Sequence, residues 1–125
     1  MLCDRGSDSL FAYQGYGAGL DITTLMKEDA RARHNIETNL VILLDCDPLV
    51  GLARKARQLK KRGKEFSSFE KKPVEFHARV RDGFLELAKR DPERWLVVDA
   101  SRSQREVARS LWKGIVNKFP FLEKV

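Results

Sequence analysis

Two stretches of the chain concentrate side chains that can do chemistry. The first is Asp4-Arg5-Gly6-Ser7-Asp8-Ser9-Leu10-Phe11-Ala12-Tyr13-Gln14-Gly15-Tyr16-Gly17-Ala18-Gly19-Leu20, whose mixture of charge, hydroxyls, aromatics and spaced glycines exceeds what packing requires. A guanidinium such as that of Arg5 grips phosphate oxygens through a planar, two-pronged set of N–H groups. The second is the cationic run Arg54, Lys55, Arg57, Lys60, Lys61, Arg62 and Lys64. Cations so grouped can track the phosphates of an anionic partner, and a solvated helix face explains the same pattern.

Other chemistry finds less support. His34 and His77 stand alone with no nucleophile beside them, and His77 reads as a residue at the edge of an apolar stripe. Cys3 and Cys46 lack CxxC spacing and a neighbouring histidine, which argues against a disulfide framework or a zinc site and suits a reducing cytoplasm. Asp45 and Asp47 read as strand-end and helix-cap residues rather than a catalytic carboxylate pair. Gly15-x-Gly17-x-Gly19 does not follow a strand and lacks a Lys-[Ser/Thr] ending, so it is not a phosphate loop. No metal ligands are assigned.

The whole sequence has 125 residues, with 24 Lys and Arg against 18 Asp and Glu, a formal charge of +6. That length fits one domain, residues 1–125, and is small for a doubly wound nucleotide-binding fold. The positive balance favours anionic partners such as nucleotides, nucleic acid or an acidic membrane surface. Leu40 to Leu44 is the longest aliphatic run and is too short to cross a bilayer, so no membrane association and a cytoplasmic location are expected.

These residues need elements to hold them. Leu40-Val41-Ile42-Leu43-Leu44 reads as a parallel strand covered on both faces, and Asp47-Pro48 caps a helix carrying Leu49, Leu52, Ala53, Ala56 and Leu59. Lys60 to Lys72, with Gly63 and Ser67-Ser68, is expected to be an exposed, mobile connection. Pro73 opens a helix with Phe76, Val80, Phe84, Leu87 and Ala88 on its apolar side, stopped by Asp91-Pro92. Trp95 to Val98 forms a second strand, and Ser103-x-x-Glu106 is a capping box for a helix striped by Val107, Leu111, Ile115 and Phe119.

Upstream, Asp21 caps a helix through Leu25, Met26 and Ala30, with Lys27, Glu28, Asp29, Arg31 and Arg33 facing water. Met1-Leu2-Cys3 supplies the remnant of a third strand, and Trp95 and Trp112 read as core or interface anchors. Strands alternating with helices indicate an α/β fold with parallel pairing.

Four segments together resemble the thymidylate kinase family, in the family's order and over nearly the whole chain: Asp4-Arg5 with Ala12-Tyr13-Gln14-Gly15, Asp45-x-Asp47-Pro48 with Val50-Gly51-Leu52-Ala53-Arg54, Phe69-Glu70 through Phe76-His77-x-Arg79-Val80-Arg81, and Val97-Val98-Asp99-Ala100-Ser101. The resemblance implies phosphoryl transfer from ATP to dTMP, giving dTDP, with Mg²⁺. It also implies a three-layer, P-loop-kinase-type α/β sandwich with a parallel sheet, here incomplete, and a lid near residues 54–72. By the same resemblance Arg5 grips the dTMP phosphate, Tyr13 sits by the deoxyribose, Ser9 and Gln14 join that pocket, and Arg54 is the catalytic lid cation. Tyr13 and Gln14 also read as a packing pair at a helix start.

The sequence departs from the family at Gly6, Leu10, Ala18 and Ser67-Ser68, all in the substrate pocket or the lid. No Gly-x-x-x-x-Gly-Lys-[Ser/Thr] string occurs, so no ATP-binding residues are assigned and the chain by itself is expected to lack useful kinase activity. The family's first strand, central in its sheet, has no counterpart, which leaves strand edges open to self-association or to a complementary, phosphate-loop-bearing chain. A homodimer, a decayed remnant, a split half and a misread start, in which Met1 is not the true beginning, are the forms considered. The competing class is a basic nucleic-acid-binding module on Arg54 to Lys64, disfavoured because no aromatic residue interleaves with the cations.

Overall fold

In a computed structural model, the structure describes residues 2–33, 36–68 and 70–124. The expectations for Met1, His34 and Phe69 fall outside these residues. The order is α1 (Ser7–Leu10) running into π-helical turns (Phe11–Gly17), α2 (Ile22–Arg33), β1 (Val41–Asp45), α3 (Pro48–Lys61), α4 (Val74–Arg90), β2 (Trp95–Asp99), α5 (Gln104–Lys118) and a terminal 3₁₀ turn (Pro120–Lys124).

β1 and β2 pair in parallel, with Val41 beside Trp95 and Asp45 beside Asp99, and among the described residues the sheet has these two strands. Val41 donates to the carbonyl of Arg94 and Ala100 donates to the carbonyl of Asp45, at 2.9 and 2.7 Å. In a parallel ladder these bonds direct the main-chain groups of Val41, Leu43 and Asp45 toward β2. Those of Ile42 and Leu44 therefore face the free edge. Helices lie on both sheet faces, so the expected incomplete three-layer α/β arrangement is what forms.

One core gathers Phe11, Leu87, Ala88 and Trp95, with Val41 and Leu43 from β1 and Tyr16, Ile22, Leu25 and Met26 packed around them. A second joins Ala12, Phe76 and Val80, with Tyr13 packed on it and Phe84 bridging to the first. Close approach of the π-helical turns to α4 demands glycine. A Cβ at Gly17 would stand 2.9 Å from Phe76 and Val80 atoms, and one at Gly83 would stand 2.6 Å from the Cβ of Tyr16. The opposite sheet face is thinly covered: α5 packs on β2 with Gly114 against Leu96, while Ile42 and Leu44 remain exposed.

Several expectations are corrected. Leu2 and Cys3 are not in a strand: among the described residues the ladder joins β1 and β2, and the main-chain groups of Leu2 and Cys3 do not pair with it. Tyr13 and Gln14 are not at a helix start but inside helical turns that begin at Ser7, and the glycines there serve close packing on α4 and α2. α3 extends to Lys61, since Lys60 and Lys61 favour its C-terminal dipole end, and the connection starts at Arg62. Asp29 does not face water: its carboxylate meets Arg33 at 2.6 Å and its side chain is 10% exposed.

At the other termini the caps follow the sequence. Asp47 Oδ1 accepts from the Leu49 amide at 2.8 Å, and Asp21 accepts from the Thr23 amide and the Thr24 hydroxyl. Ser103 Oγ accepts from the Glu106 amide at 3.3 Å, but the Glu106 carboxylate takes the Ser103 hydroxyl rather than a backbone amide. Trp95 is core, as expected, whereas Trp112 is 56% exposed on α5 and is no core residue.

Candidate functional site

Arg5, Ser9 and Tyr13 come together on one groove of about 710 Å³. Its floor and walls are the free edge of β1, the Leu2–Gly6 segment, and Val80 and Phe84 of α4. The local sequence explains the assembly: α1 begins after Gly6, so Arg5 precedes the helix while Ser9 and Tyr13, four residues apart, share a helical face. Arg5 adopts φ 64°, the left-handed region, which costs an L-residue roughly 1–2 kcal/mol. Its guanidinium carbon lies 5.2 Å from the centre of the Tyr13 ring, a cation–π distance. The thiol of Cys3 donates to the Arg5 carbonyl at 2.9 Å.

Gln14 does not join them. It is exposed, outside the groove lining, and its carbonyl accepts from the Leu20 amide at 3.0 Å. Arg54 also lies elsewhere, on α3, where its guanidinium donates to the carbonyls of Ala100, Ser101 and Arg102.

Sequence reasoning assigned no role to Arg79 or Arg81, and both occupy informative places. Arg81 enters the groove and forms a fork with Asp45, Nε to Oδ1 at 2.9 Å and Nη2 to Oδ2 at 3.1 Å. The hydrogen bond to that carboxylate is the main cause that raises the Arg81 pKa further above its ordinary value. Arg79 Nε donates to the carbonyl of Gly17 at 3.2 Å and lines a second cavity of about 490 Å³ with Lys72, Phe76 and Ala18. A guanidinium thus stands beside the turn at which Ala18 departs from the resemblance. The signal was present in the alternating arginines of Phe76-His77-x-Arg79-Val80-Arg81.

Polar atoms at the groove are unevenly satisfied. His77 Nε2 and Trp95 Nε1 are buried without a hydrogen-bond partner among the described residues, and both residues line the groove. Asp8, also on the lining, meets Arg94 at 3.7 Å. Desolvation nonetheless dominates and holds the Asp8 carboxyl above its usual pKa, with Arg94 and Arg33 pulling it down and Asp29 pushing it up.

Mg²⁺, implied by the resemblance, requires converging oxygen ligands. Among the described residues no three His, Cys, Asp or Glu side chains are grouped to hold a metal ion. Among the same residues no helix is long and apolar enough to cross a membrane.

Comparison with known proteins points one way. A family model described as thymidylate kinase matches residues 1–111. The chain is similar to a thymidylate kinase of Solidesulfovibrio magneticus, 42% identical over 120 residues, covering 94% of this chain and 57% of the relative. Against a thymidylate kinase of Deinococcus radiodurans the identity is 42% over 115 residues, 92% of this chain and 53% of the relative. A thymidylate kinase of Geobacter sulfurreducens is 38% identical over 121 residues, 96% and 57% respectively. The chain therefore spans about half the length of the curated relatives it matches.

Proposed function

This chain belongs to the thymidylate kinase family, and from that premise we propose that it carries the nucleoside-monophosphate side of an ATP-dependent dTMP kinase. The observation that supports this reading is the convergence of Arg5, Ser9 and Tyr13 on one groove. Arg5 takes the dTMP phosphate, Ser9 and Tyr13 take the sugar side, and exposed Gln14 closes over the nucleoside from outside the groove. Arg81, already committed to Asp45, fixes the floor on which the substrate lies. The cations from Arg54 to Lys64 belong to the ATP phosphate side.

Phosphoryl transfer depends on positioning and charge stabilisation, and the cradle of backbone amides that holds ATP phosphates is not encoded in these 125 residues. We propose that the chain by itself binds dTMP but does not phosphorylate it. A phosphate loop supplied by a longer polypeptide or by a complementary chain restores transfer from ATP to dTMP.

Calorimetric titration of the 125-residue chain with dTMP tests the first part. Binding is expected, and Arg5→Ala should weaken it by roughly tenfold or more, the worth of a charge-assisted phosphate contact. Equal dTMP affinity for the wild type and Arg5→Ala overturns the assignment of Arg5. ATP-dependent dTDP formation by the chain alone overturns the proposed need for a phosphate loop.

A further inference from the structure

Arg54 presents a charged fork to three successive main-chain carbonyls and to no carboxylate. Its Nη1 donates to Ala100 O, and its Nη2 donates to Ser101 O at 2.7 Å and Arg102 O at 3.3 Å. The turn's own carboxylate is engaged elsewhere: Asp99 Oδ1 accepts from the Ser101 amide at 2.9 Å and from its hydroxyl at 2.6 Å. Arg102 turns away as well, donating to Ser110 Oγ at 2.6 Å, with its Nε 4.0 Å from Asp99. Arg54 is thus the link from α3 to the turn between β2 and α5, spanning 46 to 48 residues of sequence.

α3 is strongly cationic and has no acidic residue between Pro48 and Lys61. One and two turns beyond Arg54, the exposed residues Arg57, Lys60 and Lys61 share with it a concave surface of about 620 Å³. Three further cations on one helix end repel one another and, without an anchor, would splay that end into solvent. The anchor is Arg54, because a planar guanidinium reaches several carbonyls at once where an ammonium is a point charge.

We propose that Arg54 is a positioning residue, a strut that sets the direction of α3 and with it the placement of Arg57, Lys60 and Lys61. This rests on the reading of the chain as a dTMP kinase part and reassigns Arg54 within it. Three hydrogen bonds from Nη1 and Nη2 tie the exposed guanidinium to the turn that follows β2.

Hydrogen exchange of the 125-residue chain tests the strut, with inorganic tripolyphosphate as the anion probe. Arg54→Ala and Arg54→Lys should both speed exchange at the α3 amides from Gln58 to Lys61 by roughly tenfold, while Arg57→Ala leaves them near wild type. Tripolyphosphate should bind the wild type and slow that exchange. Arg57→Ala and Lys60→Ala should weaken the binding and flatten its ionic-strength dependence, whereas Arg54→Lys should lower affinity without flattening it.

Three results overturn the proposal: unchanged α3 exchange in Arg54→Ala, wild-type tripolyphosphate affinity in Arg54→Lys, or no tripolyphosphate binding by the wild type. None of these bears on dTMP titration, which tests the groove separately.

Discussion

Arg81 on α4 and Asp45 at the end of β1 form a two-pronged ion pair, with N···O distances of 2.9 and 3.1 Å. The pair ties the helix that carries most of the core to the strand whose free edge borders the groove. With 36% and 17% of the two side chains exposed, water screens the charges only in part.

Breaking that pair should cost about 1–2 kcal/mol, a figure reduced from buried-pair values for the partial exposure. Arg81→Lys should recover less than half of it, since a lysine cannot reproduce the fork. Urea unfolding of Arg81→Ala, Arg81→Lys and Asp45→Asn measures this, and a loss confined to one partner's variant would show that the two do not act together.

Gly83→Ala opposes two effects. Alanine in place of glycine gains about 1 kcal/mol of helix propensity. The added methyl, however, would stand 2.6 Å from the Tyr16 Cβ, beside the backbone and not at a flexible tip. Overpacking costs about 1–3 kcal/mol, so net destabilisation is expected. A higher midpoint in thermal unfolding would show that the π-helical turns move away from α4 without penalty.

Trp95 and Trp112 should respond oppositely to truncation. Trp95, 4% exposed, should lose about 3–5 kcal/mol as Trp95→Ala. Trp112, 56% exposed, should change stability by about 0.5 kcal/mol or less as Trp112→Ala. Comparable losses in urea unfolding would place Trp112 in an interface that forms in solution.

Asp8 should make stability depend on pH in the sense opposite to an ordinary salt-bridged carboxylate. Desolvation raises its folded-state pKa above 3.8, against the weaker pull of Arg94. The folded chain therefore holds that proton more tightly than the unfolded chain does. Its contribution is fully present below pH 3.8 and is lost as pH rises through the raised value. The stability difference between wild type and Asp8→Asn should shift across that window, and a difference that stays constant with pH refutes the assignment.

Local order was legible because it rests on short-range rules. Asp47-Pro48 and Ser103-x-x-Glu106 announce helix starts through groups that satisfy their own neighbours' amides, and those helices begin at Pro48 and Gln104. The two aliphatic runs became β1 and β2 within a residue of their expected bounds. Of Ser7–Gly17 only a helix start at Tyr13 and Gln14 was legible, since its glycines are set by Phe76, Val80 and Ile22, residues distant in sequence or in the next helix.

The sequence by itself determined the α/β alternation, the caps, the cationic character of α3 and the family resemblance, all carried by neighbouring residues and their order. Tertiary structure alone decided that Arg5, Ser9 and Tyr13 share a groove while Gln14 does not. It also decided that Arg81 is held by Asp45 and that Arg54 grips the carbonyls of Ala100 to Arg102. For the two arginines the physical reason is separation: their partners lie 36 to 48 residues away, and only the parallel crossover that pairs β1 with β2 brings them within hydrogen-bonding distance.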